Sequence, residues 1–268
     1  MDPFRTQLAP LSAEAWALLR DDATATLATS LSARKLVDVR GPLGWRFSAV
    51  SLGRVVVENE QVDGVAVGVR AVLPMVELRA PFVLDLWALD DVARGATDIP
   101  LEPMLDAARQ IARAEDHVVL RGLPSANMRG LLDSLGEPIA IPSDLRSFPG
   151  AVAAALVRLN DAGVAGPYVL ALGDQLFEGV NLVAPEDYPL QQRLARLVGQ
   201  PVQLAPGLGR DAVLISRRGG DFELTLGADL TIGYEVHDAK QVRLYFTESI
   251  AYRTLEHTAG VRLTSTSA

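Results

Sequence analysis

The run Arg217–Glu235, RRGGDFELTLGADLTIGYE, holds the residues best placed to do chemistry. A glycine pair set before carboxylates, here Gly219-Gly220 before Asp221 and Glu223, is one way to hold metal ions for nucleotide cyclisation. That chemistry needs consecutive acidic groups, a second metal carboxylate and a nucleotide pocket. Phe222 separates the two carboxylates. On an extended strand they would share one face, about 7 Å apart. Alternation then continues. Phe222, Leu224, Leu226, Leu230 and Ile232 face one way, and Asp221, Glu223, Thr225, Asp229 and Thr231 the other. The spacing predicts a glycine turn feeding one long, half-buried strand.

Other chemistries fail on residue type or spacing. The chain has no cysteine, which removes disulfides, thiol nucleophiles and thiolate metal sites. His117, His237 and His257 lie in EDHV, EVHDA and LEHTA, with neither an H-E-x-x-H zinc pair nor a G-x-S-x-G nucleophile turn. Glu115, Asp116 and His117 are consecutive, so on a helix they fan out; they read as a solvated helix end. GLGRDA (207–212) has dinucleotide-loop spacing, but a strand, AVLIS, follows where a helix must open. No catalytic residue is assigned.

The elements that would position such residues are those of an ordinary globular chain. Its 268 residues are 49% hydrophobic and 22% charged, enough for one large domain or two modest ones with a sizeable core. A net charge of −8 argues against a surface that grips nucleic acid. The N-terminus lacks a signal-peptide core, and no apolar run approaches the roughly 20 residues of a membrane span. The reading is a soluble, cytoplasmic chain with no membrane or nucleic-acid partner.

Residues 12–31 predict an amphipathic helix capped by Ser12, with Leu11 and Trp16 as a hydrophobic staple. RKLVDVRGPLGW (34–45) reads as extended. Residues 47–79 predict a long two-stranded ribbon turning near Glu58–Gly64, which is marginal alone and needs a surface to lie on. Pro103 opens a helix with Met104, Leu105, Ala108, Ile111 and Ala112 inward, and HVVLRG (117–122) continues from it. From Leu123 come short alternating elements. They include helices opened by Pro149 and Pro189, the latter with Leu190, Leu194 and Leu197 inward, and strands GPYVLAL (166–172) and DAVLIS (211–216). Two long strands close the chain. The class is α+β, with a middle segment of about 123–216 inserted into a body built from both ends.

Seven motifs occur in order: RKLVDVRGPLGW (34–45), LRAPFVLDLWALDDVARG (78–95), EDHVVLRG (115–122), GPYVLAL (166–172), DYPLQQR (187–193), SRRGGDFELTLGADLTIGYE (216–235) and VRLYFTES (242–249). With them the chain strongly resembles the encapsulin shell proteins of the linocin type, from LAPLSAEAW to about Tyr252. The resemblance implies the Hong Kong phage major-capsid fold and a non-enzymatic, self-assembling icosahedral shell. Its parts would be a peripheral domain (1–46, 80–122 and 217–268), an extended loop (47–79) and an axial domain (123–216). The loop's missing surface would be another copy of the chain.

The resemblance also implies sites. A cargo protein's C-terminal peptide would dock on Leu27, Arg34, Asp38, Leu230, Ile232 and Tyr234. Leu230 and Ile232 read equally as core, and Arg34 and Asp38 as an ion pair with each other. Leu27 stands where relatives often have an aromatic, so the pocket would be shallower. Glu186, Asp187 and Tyr188 would line a five-fold pore, its acidic rings favouring cations. Trp87, with Tyr188 of a neighbouring subunit, resembles a surface flavin site; no cofactor is required. The shell would be a homo-oligomer of about 60 copies, enclosing a dye-decolorizing peroxidase or a ferritin-like iron-oxidising protein. The alternatives are a phage head protein enclosing DNA, or an enzyme, since members of the family have been labelled bacteriocins and proteases.

Overall fold

The computed structural model describes residues 2–183 and 188–265, with the side chains at 58–60 excepted. Helix α1 (Ala13–Ser30) starts where Ser12 accepts the Ala15 N–H on its hydroxyl at 3.1 Å. Leu11 and Trp16 join the same core cluster. The segment expected to be extended from Arg34 first makes a 3-10 turn (Ala33–Lys35), and only then β1 (Asp38–Arg40). The ribbon follows as β2 (Ala49–Val62) and β3 (Val65–Pro74). It turns at Asp63 and Gly64, with φ of 49° and 79°, the left-handed pair that a two-residue hairpin requires. After Met75 the chain continues as β4 (Val76–Asp85), then α2 (Leu86–Ala93), capped by Asp85, and α3 (Glu102–Arg121). HVVLR is thus the last turns of α3, with Val118, Val119 and Leu120 buried.

A short pair, β5 (Gly122–Leu123) and β6 (Met128–Arg129), leads into the middle segment. There lie α4 (Leu131–Ser134), β7 (Ile139–Ile141), α5 (Phe148–Asp161) and β8 (Tyr168–Leu172). Next come α6 (Asp174–Leu182), which the sequence pattern did not predict, α7 (Leu190–Val198), β9 (Gln203–Leu204) and β10 (Ala212–Ser216). On α7 Leu190 and Leu194 are inward as expected, but Val198 takes the third buried position and Leu197 is exposed.

The expected long strand from Asp221 is two strands, β11 (Phe222–Leu226) and β12 (Thr231–His237). Both lie along β13 (Gln241–Thr254). Since β4 pairs with residues 241–250 of β13, it fills one edge, and β11 and β12 follow end to end on the other. Between them Gly227–Leu230 bulge out. Leu226 is opposite Ile250 and Thr231 opposite Thr247, so five steps on one side face three on the other, a shift of two. The shift is even overall, so the inward alternation survives the break. β1 adds to β11 in parallel.

The last strand, β14 (Gly260–Ser265), leaves this sheet. It lies between β7 and β10 in a second sheet of order β7-β14-β10-β8-β9. The middle segment therefore completes its sheet with the end of the chain.

Helix α3 covers one face of the first sheet, and α1 packs against α3. One core cluster there includes Trp16, Leu27, Phe82, Ile111, Ile232 and Phe246. A second runs from Leu36, Val118 and Tyr252 into the second sheet at Leu170, Leu214 and Leu263. Each cluster is apolar; the boundary between them is not.

Candidate functional site

Five elements cross from one cluster to the other, β4 at Leu78 and the others at or beside a charged residue. On β13, Phe246 lies in the first cluster, Ile250 in the second, and Glu248 between them. On α3, Ala112 precedes and Val118 follows Glu115 and Asp116. Arg34 stands between Leu31 and Leu36, and Asp229 between Leu226 and Ile232. The expectation of a solvated helix end at Glu115–His117 is overturned for its first two residues, which are buried. Glu115 continues the inward stripe of Ile111 and Ala112 at helical spacing.

Arg34 joins these carboxylates. Its Nε donates to both oxygens of Glu115 at 3.0 and 2.9 Å, and Nη2 to Glu115 Oε2 at 2.6 Å. The same Nη2 reaches Glu248 Oε2 at 3.1 Å, and Nη1 reaches Asp229 Oδ1 at 2.8 Å. Burial works against the guanidinium charge, but hydrogen bonds and charge from Glu115 and Asp229 win and raise its pKa further. Beside it Asp116 accepts the Ala33 N–H at 2.7 Å, the Ser32 N–H at 3.2 Å and the Ser32 hydroxyl. Burial raises the Asp116 carboxyl, and the Ser32 and Ala33 hydrogen bonds oppose it.

Arg34 and Asp38 do not pair with each other. Asp38 accepts the Gly220 N–H at 2.6 Å, at the turn before β11. Of the six residues expected to bind a peptide, the structure groups four on the first core cluster: Leu27 and Ile232 buried in it, Leu230 and Tyr234 half-buried against it. Arg34 reaches them through Asp229, next to Leu230. Asp38 stands apart. Tyr234 carries its hydroxyl 2.7 Å from His237 Nδ1, and its N–H donates to the Phe4 carbonyl at 2.9 Å, so the N-terminal segment lies on the outer edge of β12.

The remaining expected residues lie elsewhere. Glu186 and Asp187 are outside the described residues. Tyr188 is exposed, with the Arg196 guanidinium 4.5 Å from its ring centre. Trp87 is exposed on α2. The glycine-turn carboxylates are occupied: Asp221 pairs with Arg218 at 2.9 Å and Glu223 with Arg253 at 2.8 Å. Among the described residues no group of three or more His, Asp or Glu side chains is placed to hold a metal ion.

One large surface has no partner among the described residues. The ribbon is rooted by Val50 and Leu73, both buried. Beyond that root Val55, Val56, Val57, Val62, Val65, Val69 and Val72 are all exposed. A strand of 14 residues spans roughly 48 Å, so the uncovered arm is long.

A family model described as an encapsulating protein for peroxidase matches residues 1–251. A type 1 encapsulin shell protein of Rhodospirillum rubrum is 44% identical over 98% of this chain and 96% of its own. A virus-like particle from Pyrococcus furiosus superposes with a TM-score of 0.65 at 15% identity, over 91% of this chain and 97% of that one. The capsid of Myoviridae phage XM1 gives a TM-score of 0.57 at 13% identity, over 88% and 92%. The fold is thus the α+β fold of Hong Kong-type phage capsid proteins. The chain belongs to the family of encapsulin shell proteins. It is a structural shell protein and not an enzyme; any enzyme it encloses is a separate protein. Among the described residues no helix is long and apolar enough to cross a membrane.

Proposed function

We propose that about 60 copies of this chain close into one icosahedral shell, and that each ribbon lies along a neighbouring subunit. The observation that carries this is the ribbon's row of uncovered valines. Burying it against a second copy supplies, at roughly 25 cal/mol per Å², a driving force the isolated subunit lacks. Negative-stain electron microscopy and sedimentation test it: closed particles of one size are expected, and a stable monomer at micromolar concentration overturns it.

The interior holds protein. A cargo chain's C-terminal peptide docks on the surface formed by Leu27, Leu230, Ile232 and Tyr234, with Arg34 and Asp229 at its rim. The clustering of the four side chains supports this, and the separation of Asp38 argues for removing it. The cargo is a dye-decolorizing peroxidase or a ferritin-like iron-oxidising protein. The cytoplasm is the compartment, the shell holds no DNA, and the net charge of −8 supports that. Glu186, Asp187 and Tyr188 line the five-fold pore, and flavin binds at Trp87 with Tyr188 of a neighbouring subunit. In this reading residues 123–216 form the axial domain together with β14, 47–79 the extended loop, and the rest the peripheral domain.

A further inference from the structure

The charged layer between the two cores is out of balance. One cation, Arg34, faces three carboxylates, Glu115, Glu248 and Asp229. The side chains of Glu115 and Glu248 are wholly inaccessible to solvent, and both accept from the same Nη2 of Arg34. Glu248 Oε1 is buried and has no hydrogen-bond partner. A buried acceptor left alone costs about 1–3 kcal/mol, more when charged. A proton on Glu248 eases both faults: the carboxyl becomes a donor beside Glu115, and the layer loses one negative charge.

We propose that Glu248 holds a proton between itself and Glu115, and that this proton is a clasp. With it, Arg34 holds the 3-10 turn (Ala33–Lys35) and the Gly227–Leu230 bulge against β13. Without it, two buried anions repel and the turn and bulge loosen. The groups facing Glu248 are Arg34 from the turn, Glu115 from α3 and Asp229 from the bulge. Across the sheet β4 presents uncharged Leu78, and Asp116 is engaged by Ser32 and Ala33.

Burial first, then the charge of and hydrogen bond to Glu115, push the Glu248 carboxyl well above its ordinary value, while Arg34 pulls it down. The sign follows. A carboxyl whose pKa rises on folding keeps a proton that the unfolded chain has lost. Its contribution is fully present below the ordinary Glu range. Above that range stability falls as pH rises, by up to about ten-fold in the folding constant per pH unit, until the raised value is passed.

The bulge carries Leu230, so the clasp sets whether the cargo-docking surface is closed. That last step rests on the docking reading, and the experiment is therefore done on empty shells. Hydrogen-exchange protection factors of segments 31–36 and 227–231 are measured from about pH 5 to about pH 9. In the wild type they should fall by up to about ten-fold per pH unit over part of that range. Glu248→Gln, which cannot ionise, should be flat. Glu115→Gln, which removes the other half of the pair, should lose the same slope and serves if the first variant fails to assemble. Infrared spectra at neutral pH should show a protonated-carboxyl band in the wild type that Glu248→Gln lacks. Parallel profiles in wild type and variant, or no such band, overturn the clasp.

Discussion

β3 and β4 are nearly one strand. They run from Val65 to Asp85 with only Met75 between them, and both are rich in valine and leucine. Their fates differ. β4 lies against β13 through ten paired residues, and α3 covers it, so Ala80, Phe82 and Leu84 are buried. β3 pairs only with β2, and past its root its valines face solvent. Propensity and pattern are alike in the two halves. What separates them is the surface each meets: β13 and α3 of its own chain for β4, and in the proposed shell another copy for β3. Exposed apolar area of this extent marks an interface.

The largest expected effect comes from breaking the β3 side. Val57→Lys with Val69→Lys places two charges on the uncovered arm. The subunit's own melting should change little, since exposed substitutions cost within about 0.5 kcal/mol. Closed particles should disappear from electron micrographs. Particles formed at wild-type concentration would show that the arm is not the assembly surface.

The β4 side should respond in the opposite way. Phe82 and Phe246 pack across β4 and β13 with ring centres 5.2 Å apart, both almost fully buried. Phe246→Ala should cost about 3–5 kcal/mol of subunit stability, read in a denaturant titration of disassembled subunits. Arg34→Met belongs to the same class, because it strands two buried carboxylates. It should also cost about 3–5 kcal/mol, whereas Glu115→Gln, which leaves Glu248 and Asp229 beside Arg34, should cost less.

Much of the β3–β4 contrast is legible in the sequence, and the reasons are local. Ser12 before an apolar stripe announces α1, Pro103 announces α3, and alternation announces the ribbon. The bulge at Gly227–Leu230 was hidden because its even register shift keeps Leu226, Leu230 and Ile232 in phase, as an unbroken strand would. The clasp was hidden for another reason. Glu115 and Glu248 each stand at an inward position, three or four residues from Ala112 and Ile111 and two from Phe246. A carboxylate at such a position signals a buried cation, but naming Arg34 as that cation requires three elements to be brought together. The alternative Arg34–Asp38 pair does not form, because the chain leaves a 3-10 turn for a strand and Asp38 is taken by the Gly220 N–H before β11. Which residues touch a second copy is not encoded in one chain's pattern at all, except as area left uncovered.

A smaller effect separates docking from folding on the inner wall. Ile232 is buried, so Ile232→Asp mixes core damage with any loss of docking. Leu230→Asp, on the half-exposed bulge, isolates the surface. Shells should form in normal yield while co-expressed cargo is no longer retained, as read by cargo-to-shell ratio in purified particles. Normal retention would remove Leu230 from the docking surface.

The smallest effect tests the ribbon's own geometry. Gly64 holds φ at +79°, and a Cβ built there meets nothing within 4 Å. Gly64→Ala therefore adds backbone strain and no clash, about 1 kcal/mol for a left-handed non-glycine residue. β4 draws its register from ten pairs with β13 and from α3, but the end of β3 draws it from this turn alone. The strain should leave the melting of disassembled subunits unchanged, since the ribbon's tip contributes nothing to their core. It should instead appear on assembly, where the arm must be straight to lie on its neighbour. About 1 kcal/mol per subunit corresponds to a roughly five-fold rise in the concentration at which particles first form, measurable by light scattering. An equal loss in the isolated subunit would mean that the ribbon is folded onto its own chain before assembly, and that β3 and β4 differ less than their exposure indicates.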